Sequence, residues 1–402
     1  MNMSDPATPR PIRIAHFSDT HLGYRALHRA EPRSGRNQRA VDIERAFEAA
    51  VDDLLTRDVD LVVHGGDVFH HTRPSWQALR TFIRAMRRIE AAGIPTVVIG
   101  GNHDTPRLRT SGSAFSVLEL ALPNVTFVTG YEEQPIVFDE LGVHLVAVPH
   151  GALTNPNPPL ALPEAGYRNV LVAHGMVPGL LTRGYREPGE EELSPNLLDA
   201  GFDYVALGHY HLWGAQGHNA WYSGSTERMG WGDEQAPPGY LIAELGAPGE
   251  TPQVTHVPLA TRPMRTLAPV VGNERTPREL ADLVLDRLRA LDLPEAMTRV
   301  ELKETPRAVR RETEAILRRE APDLVWSLQV YSPADILADF GRRSGDVVAA
   351  DLRALFAEFV GERTGKEYDE AFAAAFKARG ERALDEAMRA ADTAAAAEDA
   401  VA

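Results

Sequence analysis

Five apolar runs in this chain end in the same way. Residues 12–17 lead into Ser18-Asp19-Thr20-His21, and residues 59–64 into Gly65-Gly66-Asp67. Residues 95–99 lead into Gly100-Gly101-Asn102-His103-Asp104, residues 169–173 into His174-Gly175, and residues 203–207 into Gly208-His209-Tyr210-His211. Short apolar runs closed by Gly, Asp, Asn or Pro read as buried strands. Between them lie stretches at helical spacing, such as Val41, Ala46, Phe47, Ala50, Val51, Leu54 and Leu55. Such alternation predicts an α/β fold, in which ligands bind outside the strand ends. The five endings are therefore expected to converge on one site.

The chemistry of each ending follows from its residues. Asp19 and His21 are two apart, so an extended backbone puts both on one side; a capping Asp beside a surface His is the plainer alternative. Two glycines before Asp67 let the backbone turn sharply and come close to whatever the carboxylate holds. That makes Asp67 the candidate bridging ligand, since an N-cap role fits poorly with the apolar Val68-Phe69 that follow. His70 either reaches the site or stands exposed. After residue 99 an amide, an imidazole and a carboxylate appear together, and Thr105-Pro106 cannot continue the strand. We read Asn102 as a metal ligand and His103 as a proton donor. Asp104 orients His103 or caps the loop, and orientation is favoured. His209 and His211, spaced by one residue after a glycine, form a metal signal, because imidazole is the commonest protein metal ligand.

Asp19, His21, Asp67, Asn102, His174, His209 and His211 are too many donors for one zinc, which takes about four. They suit two ions, typically about 3.5–4 Å apart and sharing a carboxylate. With no cysteine in the chain, thiolate sites and disulfides are excluded. Any metal must be held by N and O, which favours Mn, Fe, Zn or Mg-like ions. Two ions lower the pKa of a shared water and neutralise phosphate oxygens, and the departing alkoxide then needs a proton. His103 stands beside a ligand without being needed as one, which points to phosphoester cleavage with His103 as the acid.

The 402 residues leave room for two to three domains at roughly 100–200 residues each. No apolar run approaches the roughly 18 residues that span a bilayer, and the opening MNMSDPATPR lacks a signal peptide's apolar core. No membrane association and a cytoplasmic location are expected. The net charge of −15 argues against a nucleic-acid partner until its distribution is considered. Residues 1–110 carry 16 Arg and no Lys against 13 Asp and Glu. Within them, residues 22–39 hold Arg25, Arg29, Arg33, Arg36 and Arg39 against a lone Glu31: a solvated loop, or a flexible basic arm placed to meet phosphates.

Residues 1–11 are expected to be a disordered tail. Pro74 is expected to open a helix running to about Ala92, residues 149–163 a proline-rich loop, and residues 180–193 an acidic loop. Residues 221–225 and 239–244 are expected to be closing antiparallel strands, completing a domain of residues 12–260. A linker near 258–264 precedes a small α+β unit at 264–331, read as helix 276–291, strand 297–303, helix 307–320 and strand 323–331. Residues 345–402 are helical in pattern, with Val347, Leu352, Leu355, Phe356 and Phe359 as an apolar set and a low-complexity end.

Together these motifs resemble the calcineurin-like metallophosphoesterases. Ser18-Asp19-Thr20-His21-Leu22-Gly23, Gly66-Asp67-Val68-Phe69-His70 and Tyr222-Ser223-Gly224-Ser225 narrow the resemblance to the SbcD branch, bacterial relatives of the double-strand-break repair nuclease. It is strong over residues 12–245 and rests on layout over 264–402. The resemblance implies a two-sheet sandwich flanked by helices, with a small α+β capping domain and a C-terminal helical segment. It implies one ion held by Asp19, His21, Asp67 and His211 and a second held by Asp67, Asn102, His174 and His209, with Mn2+ preferred. It implies 3′-directed degradation of duplex DNA and cleavage of single strands or hairpins. It also implies a homodimer formed through nuclease-domain helices, DNA contacts from the capping domain, and docking of the C-terminal helices on an SbcC-type coiled-coil ATPase. Arg25, Arg29 and Arg33 become candidate DNA contacts. His70 matches a second active-site histidine of part of the family, where other members carry Asp. After His211, Leu212-Trp213-Gly214 departs from the family's usual basic or Gln-containing turn. The competing readings are a phosphodiesterase or phosphatase for a small molecule or phosphoprotein, and a non-catalytic DNA tether.

Overall fold

A computed structural model describes residues 10–106, 108–157, 162–179, 190–217 and 219–331, with pieces at 360–361, 370–371 and 374–382. In chain order the elements are β1 (Ile12–Phe17), α1 (Gln38–Leu54), β2 (Leu61–His64), α2 (Trp76–Ala91), β3 (Thr96–Ile99), α3 (Phe115–Ala121) and β4 (Val125–Val128). Then come β5 (Gln134–Phe138), β6 (Val143–Val148), α4 (His150–Leu153), β7 (Arg168–His174), α5 (Pro195–Leu198), β8 (Tyr204–Gly208), β9 (Gly214–Ala215) and β10 (Ala220–Tyr222). The series closes with β11 (Gly239–Leu245), β12 (Gln253–Pro258), β13 (Met264–Thr266), β14 (Val270–Val271), α6 (Pro277–Leu291), β15 (Met297–Lys303), α7 (Arg307–Glu320) and β16 (Ser327–Tyr331).

Two six-stranded sheets form the frame, in the orders β12-β11-β1-β2-β3-β4 and β5-β6-β7-β8-β10-β9. Side-chain alternation along the strands builds three apolar layers. Ile12 and Ile14 of β1, Leu61 and Val63 of β2, and Val97 and Ile99 of β3 face Leu145, Val170, Val172 and Ala206 of the second sheet. Their neighbours Ala15, Phe17, Val62 and Val98 face outward, under Phe47 and Val51 of α1, Phe82 and Met86 of α2, and Leu118 of α3. On the far side Val146, Leu171, Ala173 and Val205 are covered by Ala152 of α4 and Leu197 and Leu198 of α5. Strands covered on both faces read as unbroken apolar runs, which is why β2 and β3 show no polar alternation.

Register decides where the strand ends meet. In the parallel β1–β2 pair Phe17 lies opposite His64, and in β7–β8 His174 lies opposite Gly208. The chain leaves β1, β2, β3, β7 and β8 at the same edge of the sandwich. Gly208 packs against the carbonyl of Gly65, where any Cβ would overlap the backbone of the facing sheet.

Some local expectations change. Pro74 precedes α2 rather than opening it; Ser75 is the cap, accepting a hydrogen bond from Ala78 N at 3.2 Å, so the helix starts at Trp76. The expected proline-rich loop begins with the helical turn α4, whose His150, Gly151 and Ala152 are buried. Residues 220–222 pair parallel to β8, whereas β11 is the antiparallel neighbour of β1, so the two closing strands lie in different sheets. The residue 22–39 connection is not a free arm. Arg36 pairs with Glu44, Glu31 with Arg45, and Arg39 is fully buried against Asp42 at 2.8 Å.

The chain divides into two compact units, residues 1–268, 275–300 and 307–329, and residues 269–274, 301–306 and 330–402. In the first, β13 runs parallel to the start of β15, and α6 opens with a Thr276–Glu279 capping box and Pro277 in its first turn. In the second, β14 runs parallel to the end of β15. The helix, strand, helix, strand order of 276–331 follows the sequence reading. The apolar set from Val347 to Phe359 lies outside the described residues, as do residues 180–189 and 1–9; residues 374–382 are helical. Among the described residues, no helix is long and apolar enough to cross a membrane.

Candidate metal centre

Four of the seven proposed ligands sit in backbone conformations that side chains seldom adopt. The φ angles are 51° at Asp19, 48° at His21, 54° at Asp67 and 113° at His209. Strain of this kind persists only where surrounding structure enforces it, and it concentrates at functional sites. The enforcing contacts are visible. Asp19 N donates to Gly66 O at 3.0 Å, His21 N to Asp67 O at 3.0 Å and Leu22 N to Val68 O at 2.9 Å, so the loops after β1 and β2 run side by side. The common direction of Asp19 and His21 thus comes from two left-handed residues and not from an extended strand. A Cβ on Gly101 would overlap the Asp67 carboxylate, so only glycine lets the loop after β3 come this close.

All seven residues converge, in two groups. His21 Nε2 lies 3.2 Å from His211 Nε2. Ligand atoms of Asp19, His21 and His211 all fall within 4.8 Å of one another. Asn102 Oδ1 lies 2.9 Å from His174 Nε2 and 3.3 Å from His209 Nδ1. Asp67 stands between the groups, its Oδ2 3.6 Å from His21 Nε2 and 3.6 Å from His174 Nε2. His103 N donates to the other Asp67 oxygen at 2.9 Å, and the His103 ring packs at 4.7 Å from His21 and stacks at 5.1 Å on His70. His70 reaches the site, its Nδ1 3.3 Å from His21 Nδ1. Arg25, Arg29 and Arg33 are exposed, and Arg29 lies 5.1 Å over the Trp326 ring.

Asp104 does not orient His103. Its carboxylate accepts from Val68 N and Phe69 N at 3.0 Å and from Gly101 N at 3.1 Å, tying the loop after β3 to the loop after β2. His103 Nδ1 instead donates to the carbonyl of His70 at 3.0 Å. Sequence distance hid this: Asp104 is adjacent to His103 but points the other way, toward backbone donors 35 and 36 residues earlier.

The site's electrostatics fit cations. Burial pushes the carboxyls of Asp19 and Asp67 above the usual range, Asp67 strongly, and pushes Asp104 up to about 6. Burial, then neighbouring imidazoles, pushes His21 and His174 well below the usual histidine range, so both are neutral. His174 Nδ1 donates to Gly65 O at 2.7 Å, which leaves the Nε2 lone pair facing Asn102 Oδ1. His211 Nδ1 lies 2.9 Å from the Asp233 carboxylate, so its Nε2 lone pair faces His21. Acceptors facing acceptors around buried carboxylates are relieved by positive charge between them, and a second polar partner on the far ring nitrogen is the usual support of a ligating histidine.

Several residues at the site carried no recognised signal in the sequence. Asp233 lies 22 positions beyond His211 in a short turn. Ser18 hydrogen-bonds Asp19 and lies 2.8 Å from Ser223, Tyr24 packs at 4.9 Å on His70, and Glu190 lies 3.4 Å from His209 Nε2. Ser18 and Ser223 were within reach of motif reading, being part of Ser18-Asp19-Thr20-His21 and Tyr222-Ser223-Gly224-Ser225.

Residues 12–212, half of the chain, match the calcineurin-like phosphoesterase family. The DNA double-strand break repair protein Mre11 of Haloferax volcanii is 33% identical over 72% of this chain and 61% of its own length. Mre11 of Thermoplasma acidophilum is 32% identical over 53% of this chain and 55% of its own length. The chain thus spans less than two thirds of these relatives. A dimetal phosphatase from Danio rerio matches 61% of this chain and 99% of that chain at 14% identity and a TM-score of 0.34, too slight a likeness to bear on function.

Proposed function

The chain belongs to the calcineurin-like phosphoesterase family, and on that basis we propose that it is a metal-dependent DNA nuclease of the double-strand-break repair class. The observation that carries this reading is the placement of seven N and O donors in two groups around Asp67, with His103 beside them. On this reading Asp19, His21, Asp67 and His211 hold one divalent ion, and Asp67, Asn102, His174 and His209 the other, with manganese as the working metal. Two such ions supply Lewis acidity and neutralise phosphate oxygens during an in-line displacement. His103 is held at both ends, by its backbone N–H on Asp67 and its Nδ1–H on the His70 carbonyl, so that as the imidazolium it presents its Nε2 proton to the departing alkoxide and is left neutral with the Nδ1 proton still in place. A placed acid of this kind contributes roughly 10²–10⁴-fold. His70, stacked on His103, keeps that ring in place.

DNA as substrate is supported by relatives whose names are those of break-repair proteins and by the exposed Arg25, Arg29 and Arg33. We assign 3′-directed exonuclease action on duplexes and cleavage of single strands and hairpins. Residues 264–331 act as the capping domain against DNA, and 345–402 engage an SbcC-type coiled-coil ATPase in the cytoplasm. A homodimer is supported by apolar side chains left exposed on the helical side: Trp76 at 86%, Leu120 at 86%, Leu108 at 70% and Val117 at 59%.

The test is incubation of end-labelled duplex with Mn2+, with and without an ATPase subunit, alongside bis-p-nitrophenyl phosphate. Release of nucleotides from 3′ ends is expected from the natural sequence and not from His103→Gln. Hydrolysis of the small diester with intact DNA in both conditions would overturn the nuclease reading in favour of a small-molecule phosphodiesterase.

A further inference from the structure

Asp233 belongs to no motif, yet it occupies the far side of a proposed metal ligand. It sits in the short helical turn Trp231–Asp233, is 6% exposed, and accepts through one oxygen from His211 Nδ1 at 2.9 Å, Met229 N at 2.8 Å and Gly230 N at 3.3 Å. The two backbone donors fix where that oxygen lies, and the oxygen fixes the His211 ring and its tautomer.

The same turn is anchored elsewhere. Trp231 Nε1 donates to Gln329 Oε1 at 2.8 Å, the indole lies 4.6 Å under the Arg299 guanidinium, and it packs against Met264, Met297 and Trp326. Glu234 accepts from Thr266 N at 2.7 Å and lies 3.8 Å from Arg299. Every one of these partners belongs to β13, β15, β16 or the residue just before β16. On the other side, Tyr24 donates to Met229 O at 2.6 Å. Residues 229–234 are thus pinned between the α+β segment after residue 263 and the metal centre.

We propose that this turn couples the α+β segment to the metal centre, with Asp233 as the positioning residue for His211 and Trp231 as the anchor through which the segment sets Asp233. The inference rests on His211 being a ligand. Displacing the segment moves Trp231, Trp231 moves the carboxylate, and one ion site loses a donor while the site around Asn102 keeps its own.

The test is calorimetric titration of Mn2+ into the metal-free full chain, with 15N spectra of labelled histidine in the absence of metal. Asp233→Asn is expected to weaken one of two ions roughly 10–100-fold and leave the other unchanged. Asp233→Glu should restore part of that loss. Trp231→Ala should weaken the same ion by a smaller factor, roughly 3–30-fold, and the double variant should be no weaker than Asp233→Asn, because Trp231 acts through Asp233. The His211 Nδ1–H signal should move toward that of a weaker hydrogen bond in Asp233→Asn, where a neutral amide oxygen replaces the carboxylate, and should weaken in Trp231→Ala. Wild-type affinities and His211 spectra in Trp231→Ala, or losses that add in the double variant, would overturn the coupling. Unchanged binding in Asp233→Asn would overturn the positioning role. A natural protein that binds no Mn2+ would overturn the two-ion reading, and this inference with it.

Discussion

Asp104→Ala strips the acceptor from three buried backbone N–H groups at once, those of Val68, Phe69 and Gly101. Each buried donor left without a partner costs about 1–3 kcal/mol. Against this stands relief of burying a carboxylate, whose pKa burial pushes up to about 6; holding it ionised at neutral pH costs the fold about 3 kcal/mol. Three donors together lose about 3–9 kcal/mol, so the net expectation is a loss of up to about 6 kcal/mol, centred near 3, or about 6–12 °C in Tm for a domain of this size. Asp104→Asn should cost less. One amide oxygen can serve Val68 N and Gly101 N, which share a single carboxylate oxygen now, leaving Phe69 N facing an NH2 group. The assay is thermal unfolding in EDTA for both variants, with a pH–rate profile of phosphodiester hydrolysis for Asp104→Asn. Because both Asp104 oxygens accept from backbone N–H groups and His103 Nδ1 is engaged by the His70 carbonyl, the His103 limb of that profile should stay in place. A wild-type Tm with a displaced limb would refute the fastener argument and restore Asp104 as a partner of His103.

His103→Gln should lower hydrolysis roughly 10²–10⁴-fold while calorimetric Mn2+ affinity stays near the wild-type value; loss of metal with activity would place His103 among the ligands. Burial raises the carboxyls of Asp19, Asp67 and Asp104, so the metal-free fold binds more protons than the unfolded chain and loses stability as pH rises from about 4 through about 6. Removing metal with EDTA should therefore lower Tm more at pH 8 than at pH 5, and an equal drop would sink that account. His16 and His64, fully buried and pushed down to about 3, act in the opposite sense. Their neutral forms favour folding above pH 6.5, and that advantage is lost as pH falls, by about 2–3 kcal/mol each at pH 4.5 in urea unfolding. Arg39→Met should cost about 3–5 kcal/mol in the same assay, since it takes the guanidinium from the buried Glu227 and leaves Asp42 paired with Arg262 alone.

Much of the site was legible because its donors are local to strand ends. An apolar run that stops at Gly-Asp, Gly-Asn-His or Gly-His-x-His announces both the strand and what it delivers, and parallel pairing brings such ends to one edge. The α+β stretch was legible for a similar reason, with Thr276-Pro277 and Glu279 marking the start of α6. What misled was reasoning from adjacency. Pro74 looked like a helix start, but Ser75 had the side chain to cap it. Arg39 looked like one more cation in a basic stretch, and it is buried against carboxylates from α1 and from residue 227. Asp104 looked like the partner of the histidine beside it.

The opposing outcomes have one physical origin. Strand identity, helix phase and the donor set depend on residues a few positions apart, whose relations period and turn chemistry record directly. The pairing of His211 with Asp233, of Asp104 with the loop after β2, and of Gly208 with the carbonyl of Gly65 depends on how two sheets stack and which register they adopt. Those contacts join residues 22 to 143 positions apart. No local pattern encodes them, because packing free energy selects them from the whole set of buried surfaces at once.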